Sequence, residues 1–194
     1  MKKKCFILIL PIIFISSCGQ KKPQEDKKFI SVLSLIEKQV AHVDTSLYSI
    51  MKIEITDSLH SDTTYIPREE FRMAAKDFLD IPDLSVKKIA NRYKEEPAQY
   101  DELMNRVIIT YLPIDPKKEE IKKQELLVTP NTPTGDNVNN VIITRVISNK
   151  DSFLQKNMLW QMDKSFQVIT TTQKPGKPEI IKTIKVSWNE DTDQ

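Results

Sequence analysis

Glycine is scarce in this chain of 194 residues. Only Gly19, Gly135 and Gly176 occur, and they are far apart in the sequence. Loops that cradle phosphate groups need several glycines, because the backbone must approach the phosphate closely. The sequence therefore excludes a glycine-rich phosphate site, and we expect no cofactor.

Histidine is just as rare. His42 and His60 each stand two residues before an aspartate, Asp44 and Asp62 respectively. A zinc site needs three or four ligands, so the two pairs would have to converge from different elements. Solvated polar residues are the simpler interpretation, and we expect no metal site.

Catalytic motifs are weak. The Ser-x-x-Lys spacing of some serine acyl-enzymes occurs at Ser49/Lys52 and at Ser85/Lys88, but the accompanying Ser-Asp-Asn and Lys-Thr-Gly motifs are missing. Serine and lysine are common enough here for chance to produce such matches. A paired-carboxylate enzyme stays open in a chain with 27 acidic residues, although no pair stands out.

Long hydrophobic runs are missing except at the N-terminus. Residues 6–15 are apolar, follow Lys2, Lys3 and Lys4, and precede two serines. This is the layout of a secretory signal peptide. The run has about half of the roughly 20 residues that a transmembrane helix requires. We therefore predict that residues 1–17 are a signal peptide and that no transmembrane helix follows.

The end of this run, Ile15-Ser16-Ser17-Cys18, resembles the lipobox of bacterial lipoproteins, in which an aliphatic residue and two small residues precede a cysteine. The resemblance implies cleavage after Ser17, a thioether-linked diacylglycerol on Cys18, and acylation of its new amino group, for example with palmitate. Gln20 stands where an aspartate would signal retention at the inner membrane. The expected location is therefore the outer membrane of the cell envelope, which the protein reaches through the periplasm. No family is recognised for the rest of the chain.

Charge and cysteine content add two constraints. The signal carries three lysines, which leaves 26 basic and 27 acidic residues in the mature chain. This near-neutral balance does not favour nucleic-acid binding. Cys5 lies in the signal and Cys18 is the lipidation site, so an internal disulfide is excluded. The fold must therefore depend on packing alone.

The N-terminal half of the mature chain favours helices. Apolar residues recur at intervals of three and four over residues 29–43, which predicts an amphipathic helix. Residues 47–56 alternate and predict a strand, and the polar residues 57–64 predict an exposed loop. Pro67, Glu69 and Glu70 predict a helix start, and Pro82 its end. Residues 84–93 fit either a helix or a strand.

The C-terminal half changes to a period of two. Strands are predicted over residues 105–112, 123–129, 139–147, 155–162, 165–173 and 179–188. Short turns between them indicate an antiparallel meander. Val107–Ile109 and Val141–Ile143 are apolar on both faces, which predicts two central strands. The fold class that follows is α+β, with N-terminal helices packed on a curved antiparallel β-meander.

The predicted organisation is a signal peptide (residues 1–17), a flexible tether (18–28), a single α+β domain (29–188) and an acidic tail (189–194). The tether has eleven residues and spans at most about 36 Å. The domain should therefore stay close to the membrane.

Two further patterns bear on function. Asp57-Ser58-Leu59 and Asp62-Thr63-Thr64 resemble a short motif that some envelope bacteria O-glycosylate, which makes Ser58 and Thr63 candidate sites. Met158, Trp160 and Met162 share one face of a strand, and either form a hydrophobic groove or, as the fold class favours, the core beneath the helices.

The sequence favours a lipid-anchored envelope protein that is not an enzyme and that binds a protein or another envelope component near the membrane. Two alternatives remain open: a carrier of a small molecule or lipid on the concave face of the sheet, and an enzyme with an unrecognised carboxylate site. A cavity of about 300 Å³ or more would favour the carrier. Carboxyls with a raised pKa would favour the enzyme. An exposed apolar patch would favour protein binding.

Overall fold

The first ordered element is the amphipathic helix that the sequence predicts. A computed structural model describes residues 29–57, 60–133 and 135–189, and helix α1 runs over Val32–Thr45. Ser31 caps it, since its hydroxyl oxygen accepts a hydrogen bond from the backbone N–H of Ser34 at 3.1 Å. The apolar stripe of α1 is buried, and it consists of Val32, Ile36, Val40 and Val43.

Three short helices and ten strands follow. The helices are α2 (Arg68–Ala74), α3 (Lys76–Leu79) and α4 (Lys87–Ala90). The first four strands are β1 (Met51–Asp57), β2 (His60–Tyr65), β3 (Tyr93–Glu95) and β4 (Gln99–Asp101). The other six are β5 (Arg106–Pro113), β6 (Ile121–Thr132), β7 (Gly135–Ser148), β8 (Phe153–Gln161), β9 (Ser165–Gln173) and β10 (Ile180–Ser187).

All ten strands belong to one antiparallel sheet. Its order is β2-β1-β10-β9-β8-β7-β6-β5-β3, and β4 pairs separately with β5. Strands β5 to β10 form a meander, while the β1–β2 hairpin joins it by pairing β1 with β10. The predicted α+β class with an antiparallel meander is confirmed.

The helices cover one face of this sheet. Residues opposite each other in antiparallel strands point to the same side, so Val186, Phe166, Trp160, Val141 and Leu126 form one row across five strands. All five are buried. We call this the helix side of the sheet.

Aromatic packing joins the two layers. Phe71 of α2 and Phe78 of α3 present their rings to Trp160 at centroid distances of 6.5 and 5.0 Å, and Trp160 stacks on Phe166 at 5.1 Å. Met158 is also buried and Met162 is half-buried. The Met158–Trp160 face is therefore core beneath the helices, and the alternative of a hydrophobic groove there is wrong.

The predicted loop over residues 57–64 is also wrong, because His60–Tyr65 is a strand. All six of its residues are exposed, and it pairs only with β1 at the edge of the sheet. A strand without a buried face shows no alternation of polar and apolar residues, which is the signal on which strand prediction depends.

The predicted central position of Val107–Ile109 is wrong as well. Strand β5 is separated from the sheet edge only by the short strands β3 and β4, and the three residues are half-buried. Val141–Ile143 does lie in an interior strand, β7, where Val141 and Ile143 are buried. An apolar outer face does not identify a central strand, because half-exposed aliphatic side chains are common on open sheets.

The aromatic packing predicts a large effect on stability. We expect Phe71→Ala to lower the free energy of unfolding by about 3–5 kcal/mol, because the ring is fully buried and its removal leaves a cavity. Leu103→Ala is the matched control: Leu103 is 97% exposed, so the change should stay within about 0.5 kcal/mol. Urea denaturation followed by tryptophan fluorescence measures both. Equal effects would contradict the assignment of Phe71 to the core.

Candidate functional site

The β1–β2 hairpin extends the sheet beyond the aromatic core. On the helix side, β1 carries the charged residues Lys52 and Glu54, which lie opposite the apolar Val186 and Ile184 of β10. Both charged side chains are partly exposed, at 31% and 30%. The helix side of the hairpin is therefore open where it meets the edge of α2.

A groove of about 570 Å³ lies at this boundary. Three half-buried apolar residues that pack against the core, Ile66, Ala74 and Ile184, line its inner part. The remaining lining residues are Lys52, Glu69, Glu70, Met73, Lys76 and Asp77. The groove thus combines an apolar base with a charged rim.

A second depression, of about 410 Å³, continues the groove along the start of α2. The two share Ile66 and Glu69, and the second is also lined by Tyr48, Tyr65 and Arg68. Arg68 donates a hydrogen bond through Nη2 to the backbone oxygen of Tyr48 at 3.4 Å, which connects α2 to the segment before β1. We refer to the two depressions together as the α2 groove.

Large apolar side chains are exposed around the α2 groove. Met73 and Tyr65 are each 75% exposed, and Leu47 beside Tyr48 is 96% exposed. Single exposed apolar residues are common, but a group of them beside a groove is typical of a binding surface.

Lysine–carboxylate pairs determine the electrostatics of the hairpin. The Glu54 carboxylate pairs with Lys52 at 3.0 Å and with Lys182 on β10. Hydrogen bonds from Lys182 and Lys52 lower the pKa of Glu54 below its ordinary value of 4.5. Glu54 is therefore a carboxylate throughout the neutral range.

A row of basic residues limits the apolar part of the helix side. Lys182, Lys156 and Arg145 lie in one register across β10 to β7, with Thr170 between the two lysines. Lys156 pairs with Asp77 of α3, and Arg145 pairs with Glu120 at 2.7 Å. These pairs attach α3 and the β5–β6 connection to the sheet.

Among the described residues, the pKa values of Glu54 and Asp115 are shifted in the direction opposite to that of a general acid. Glu54 is held ionised by two lysines, and a hydrogen bond from Lys118 likewise lowers the pKa of Asp115. A general acid at neutral pH needs the opposite shift. The buried Glu119 pairs with Arg92 at 2.9 Å and accepts a hydrogen bond from the hydroxyl of Tyr93 at 3.3 Å, an arrangement that holds β3 against the β5–β6 connection.

The residues singled out in the sequence are dispersed. His42 lies in the last turn of α1 beside the ring of Tyr48, whereas His60 begins β2. No group of three or more potential metal ligands occurs within the described ranges. Ser49 precedes β1 and Ser85 lies in the turn before α4, so neither shares a helix with its lysine.

Of the three predicted modification sites, only Thr63 lies within the described residues. Cys18 and Ser58 lie outside the described residues. Thr63 is exposed on β2 and lies opposite Ile53 on the side of the sheet away from the helices. In the described part of the chain, every helix is too short or too polar to cross a bilayer.

Sequence reasoning missed the α2 groove, although one signal was available. Phe71, Ala75 and Phe78 define the buried face of the α2–α3 segment, and Met73 lies off that face. A single apolar residue on the outward face of a short helix does not identify a site, and Met73 becomes informative only beside the groove and the exposed Tyr65. The opening beside β1 has no comparable signal, since it depends on where the helices end.

The lowered pKa of Glu54 predicts a pH-dependent contribution to stability. Because its pKa is lower in the folded state, the contribution is present above pH 4.5 and is lost as the pH falls through the folded-state pKa. We expect Glu54→Gln to lower the free energy of unfolding by at most about 1 kcal/mol at pH 7, since exposed ion pairs are weak. In strong acid the substitution should leave the free energy of unfolding unchanged. Urea denaturation at both pH values measures this difference.

Glu37→Gln, on the exposed side of α1, is the control and should show no difference between the two pH values. A pH-independent cost for Glu54→Gln would show that the carboxylate acts through shape alone.

Comparisons with known proteins assign no identity. No protein-family model, curated protein or solved structure matches the chain. The candidate site therefore rests on its own geometry: an apolar groove with a charged rim, bordered by exposed Met73, Tyr65 and Leu47.

Proposed function

We propose that this protein is a lipid-anchored component of the bacterial cell envelope, without enzymatic activity, that binds a partner protein at the α2 groove. The N-terminal pattern Ile15-Ser16-Ser17-Cys18 supports the anchor and an outer-membrane location. The exposed apolar residues beside the groove support the partner site, and they are the single observation on which the binding function depends.

The composition of the groove fits a protein surface. Tyrosine and methionine are enriched at protein interfaces, where they supply large contact areas, while charged residues are typical of the rim. Tyr65 and Met73 have this role here, and Glu69, Glu70 and Lys76 surround them. We expect the partner to insert an apolar side chain above Ile66 and Ile184.

A small-molecule or lipid carrier is the second candidate. The groove volume of about 570 Å³ falls within the range of small-ligand sites. Against this, the space between helices and sheet is filled by Trp160, Phe71 and Phe78, and the groove is open along a charged rim. A protein partner accounts for the exposed Leu47, which does not line the groove and which a small ligand there would leave exposed.

The anchor predicts a change in membrane partitioning. Wild-type protein should enter the detergent phase and resist a high-salt wash, because each buried methylene of its acyl chains contributes about 0.8 kcal/mol. Cys18→Ser should move the protein to the aqueous phase. Cys5→Ser is the matched control and should change nothing, since Cys5 lies in the cleaved segment. A Cys18→Ser protein that still enters the detergent phase would refute the anchor.

The partner site predicts position-specific crosslinking. A photo-crosslinking amino acid placed at Met73 or Tyr65 in intact cells should yield one defined adduct, whereas the same group at Leu103, which is even more exposed, should yield none. Ile66→Glu should abolish the adduct formed at Met73, because a charge would enter the apolar base of the groove.

The captured protein, once identified, should rebind the purified wild type in a reconstituted assay and not the Ile66→Glu variant. Equal adduct yields from Met73 and Leu103 would contradict the assignment. Capture of a lipid instead of a protein would favour the carrier.

A further inference from the structure

One end of the sheet collects the turns of alternate strand pairs. Because neighbouring strands are antiparallel, the β5–β6 connection (residues 114–120), the β7–β8 turn (149–152) and the β9–β10 turn (174–179) lie at the same end. We call this the turn end. The α2 groove begins at the other end, where β1 starts and β2 finishes.

A basic cleft of about 280 Å³ lies between two of these turns. Phe153 pairs with Ser148 on one side and with Gln173 on the other, which brings the β7–β8 and β9–β10 turns side by side. Among the described residues, the lining includes Lys150, Lys174 and Lys177 and contains no carboxylate. None of these three lysines takes part in an ion pair within the described residues.

The cleft is formed by turns with defined geometry. The side-chain oxygen of Asn149 accepts hydrogen bonds from the backbone N–H groups of Asp151 and Ser152 at 2.9 and 2.8 Å, which fixes the backbone around Lys150. Gly176 adopts φ +69°, a conformation that favours glycine, between Lys174 and Lys177. The lysines are therefore presented by ordered turns.

Apolar residues flank the cleft. Ile180 and Ile181 at the start of β10 are 58% and 51% exposed, and as neighbours in a strand they project from opposite faces of the sheet. Ile114 in the β5–β6 connection is also exposed. Exposed aliphatic residues beside unpaired lysines are typical of surfaces that lie on anionic bilayers. Two acids, Asp151 and Glu179, are nearby but do not line the cleft.

The chain enters the fold close to the turn end. Phe29 stacks on Tyr111 at a centroid distance of 4.5 Å, and the N–H of Ile30 donates a hydrogen bond to the Tyr111 hydroxyl at 3.2 Å. Tyr111 is two residues from the end of β5. Helix α1 then runs toward the opposite end, where Gln39 bonds with Asp163 in the β8–β9 turn at 2.9 and 2.8 Å.

The tether is long enough to place this end on a membrane. From β5 to β10 the sheet crosses five strand spacings, or about 24 Å. Residues 18–28 span at most about 36 Å. Acyl chains on Cys18 can therefore insert into the same bilayer that the tips of all three turns contact.

We propose that the turn end lies on the bilayer surface and that the Lys150–Lys174–Lys177 cleft binds the phosphate of an anionic lipid headgroup. The orientation rests on the proposed anchor, whereas headgroup binding does not. In this orientation the start of the α2 groove, near Tyr48 and Tyr65, faces away from the membrane and toward a partner.

Binding to vesicles tests this proposal. A protein of residues 29–194 lacks Cys18 and the four lysines of the tether, Lys21, Lys22, Lys27 and Lys28. It keeps every buried apolar residue of the described chain, from Phe29 to Trp188. It should bind phosphatidylglycerol vesicles and not phosphatidylcholine vesicles. The triple variant Lys150→Gln, Lys174→Gln, Lys177→Gln should bind at least about tenfold more weakly. The reason is that each lysine near an anionic surface increases the binding affinity severalfold.

The matched control replaces three exposed basic residues elsewhere, Lys38→Gln, Arg72→Gln and Lys164→Gln, with the same change in net charge. It should bind nearly as the parent does. A second variant, Ile180→Ser with Ile181→Ser, should also weaken binding. Thermal unfolding of each variant shows that it is folded.

Equal losses in the cleft variant and the control variant would overturn the proposal, as would an absence of binding to anionic vesicles. Inorganic phosphate at millimolar concentration that displaces the protein from vesicles would indicate a soluble anion as the ligand, and would also overturn it. Because this protein lacks Cys18, these outcomes are independent of the Cys18→Ser experiment and of crosslinking at Met73.

Discussion

The packing of Phe71 and Phe78 against Trp160 is the contact on which the rest of the structure depends. Residues 29–189 contain no cysteine, so burial of apolar surface has to hold the helices to the sheet. The same cluster reaches Trp188 at the end of β10, whose ring meets that of Phe71 at 5.1 Å. Helices α2 and α3 are too short to be stable alone, and their positions come from this packing. The α2 groove exists because Ala74 and Asp77 lie at the lateral edge of the helical layer, which leaves β1 uncovered.

The two ends of the sheet have different chemistry. At the end where β1 starts, exposed aromatic and aliphatic residues border a groove whose charges are mixed in sign. At the turn end, three lysines surround a cleft that no carboxylate of the described residues lines. Between them, the ion pairs of Lys182, Lys156 and Arg145 neutralise the basic row on the helix side. The described chain starts at Phe29, near the turn end, which gives the molecule a direction relative to any surface that holds its N-terminus.

Much of the fold was predictable because most strands bury one face. The alternation in β6 to β10 reflects burial on the helix side, and the predicted strands match the observed ones to within a few residues. Strand β2 was missed because none of its residues is buried. The sites were harder to predict, since they depend on contacts between distant residues. Lys150 and Lys174 come together only through the pairing of Phe153 with Gln173, and the α2 groove only through the position of the last turn of α2.

The pairing of β1 with β10 has a consequence for the order in which the protein folds. Met51 lies opposite Ser187, so two strands near opposite ends of the described chain must meet before the β1–β2 hairpin has a neighbour. Because the chain is synthesised from its N-terminus, β1 leaves the ribosome long before its partner β10. Contacts with such large sequence separation slow folding, because the intervening chain loses conformational entropy before the strand pairing can stabilise it. The β1–β2 hairpin therefore has no neighbouring strand until β10 is complete, and until then the edge of β1 that β10 covers in the folded protein stays open to other contacts.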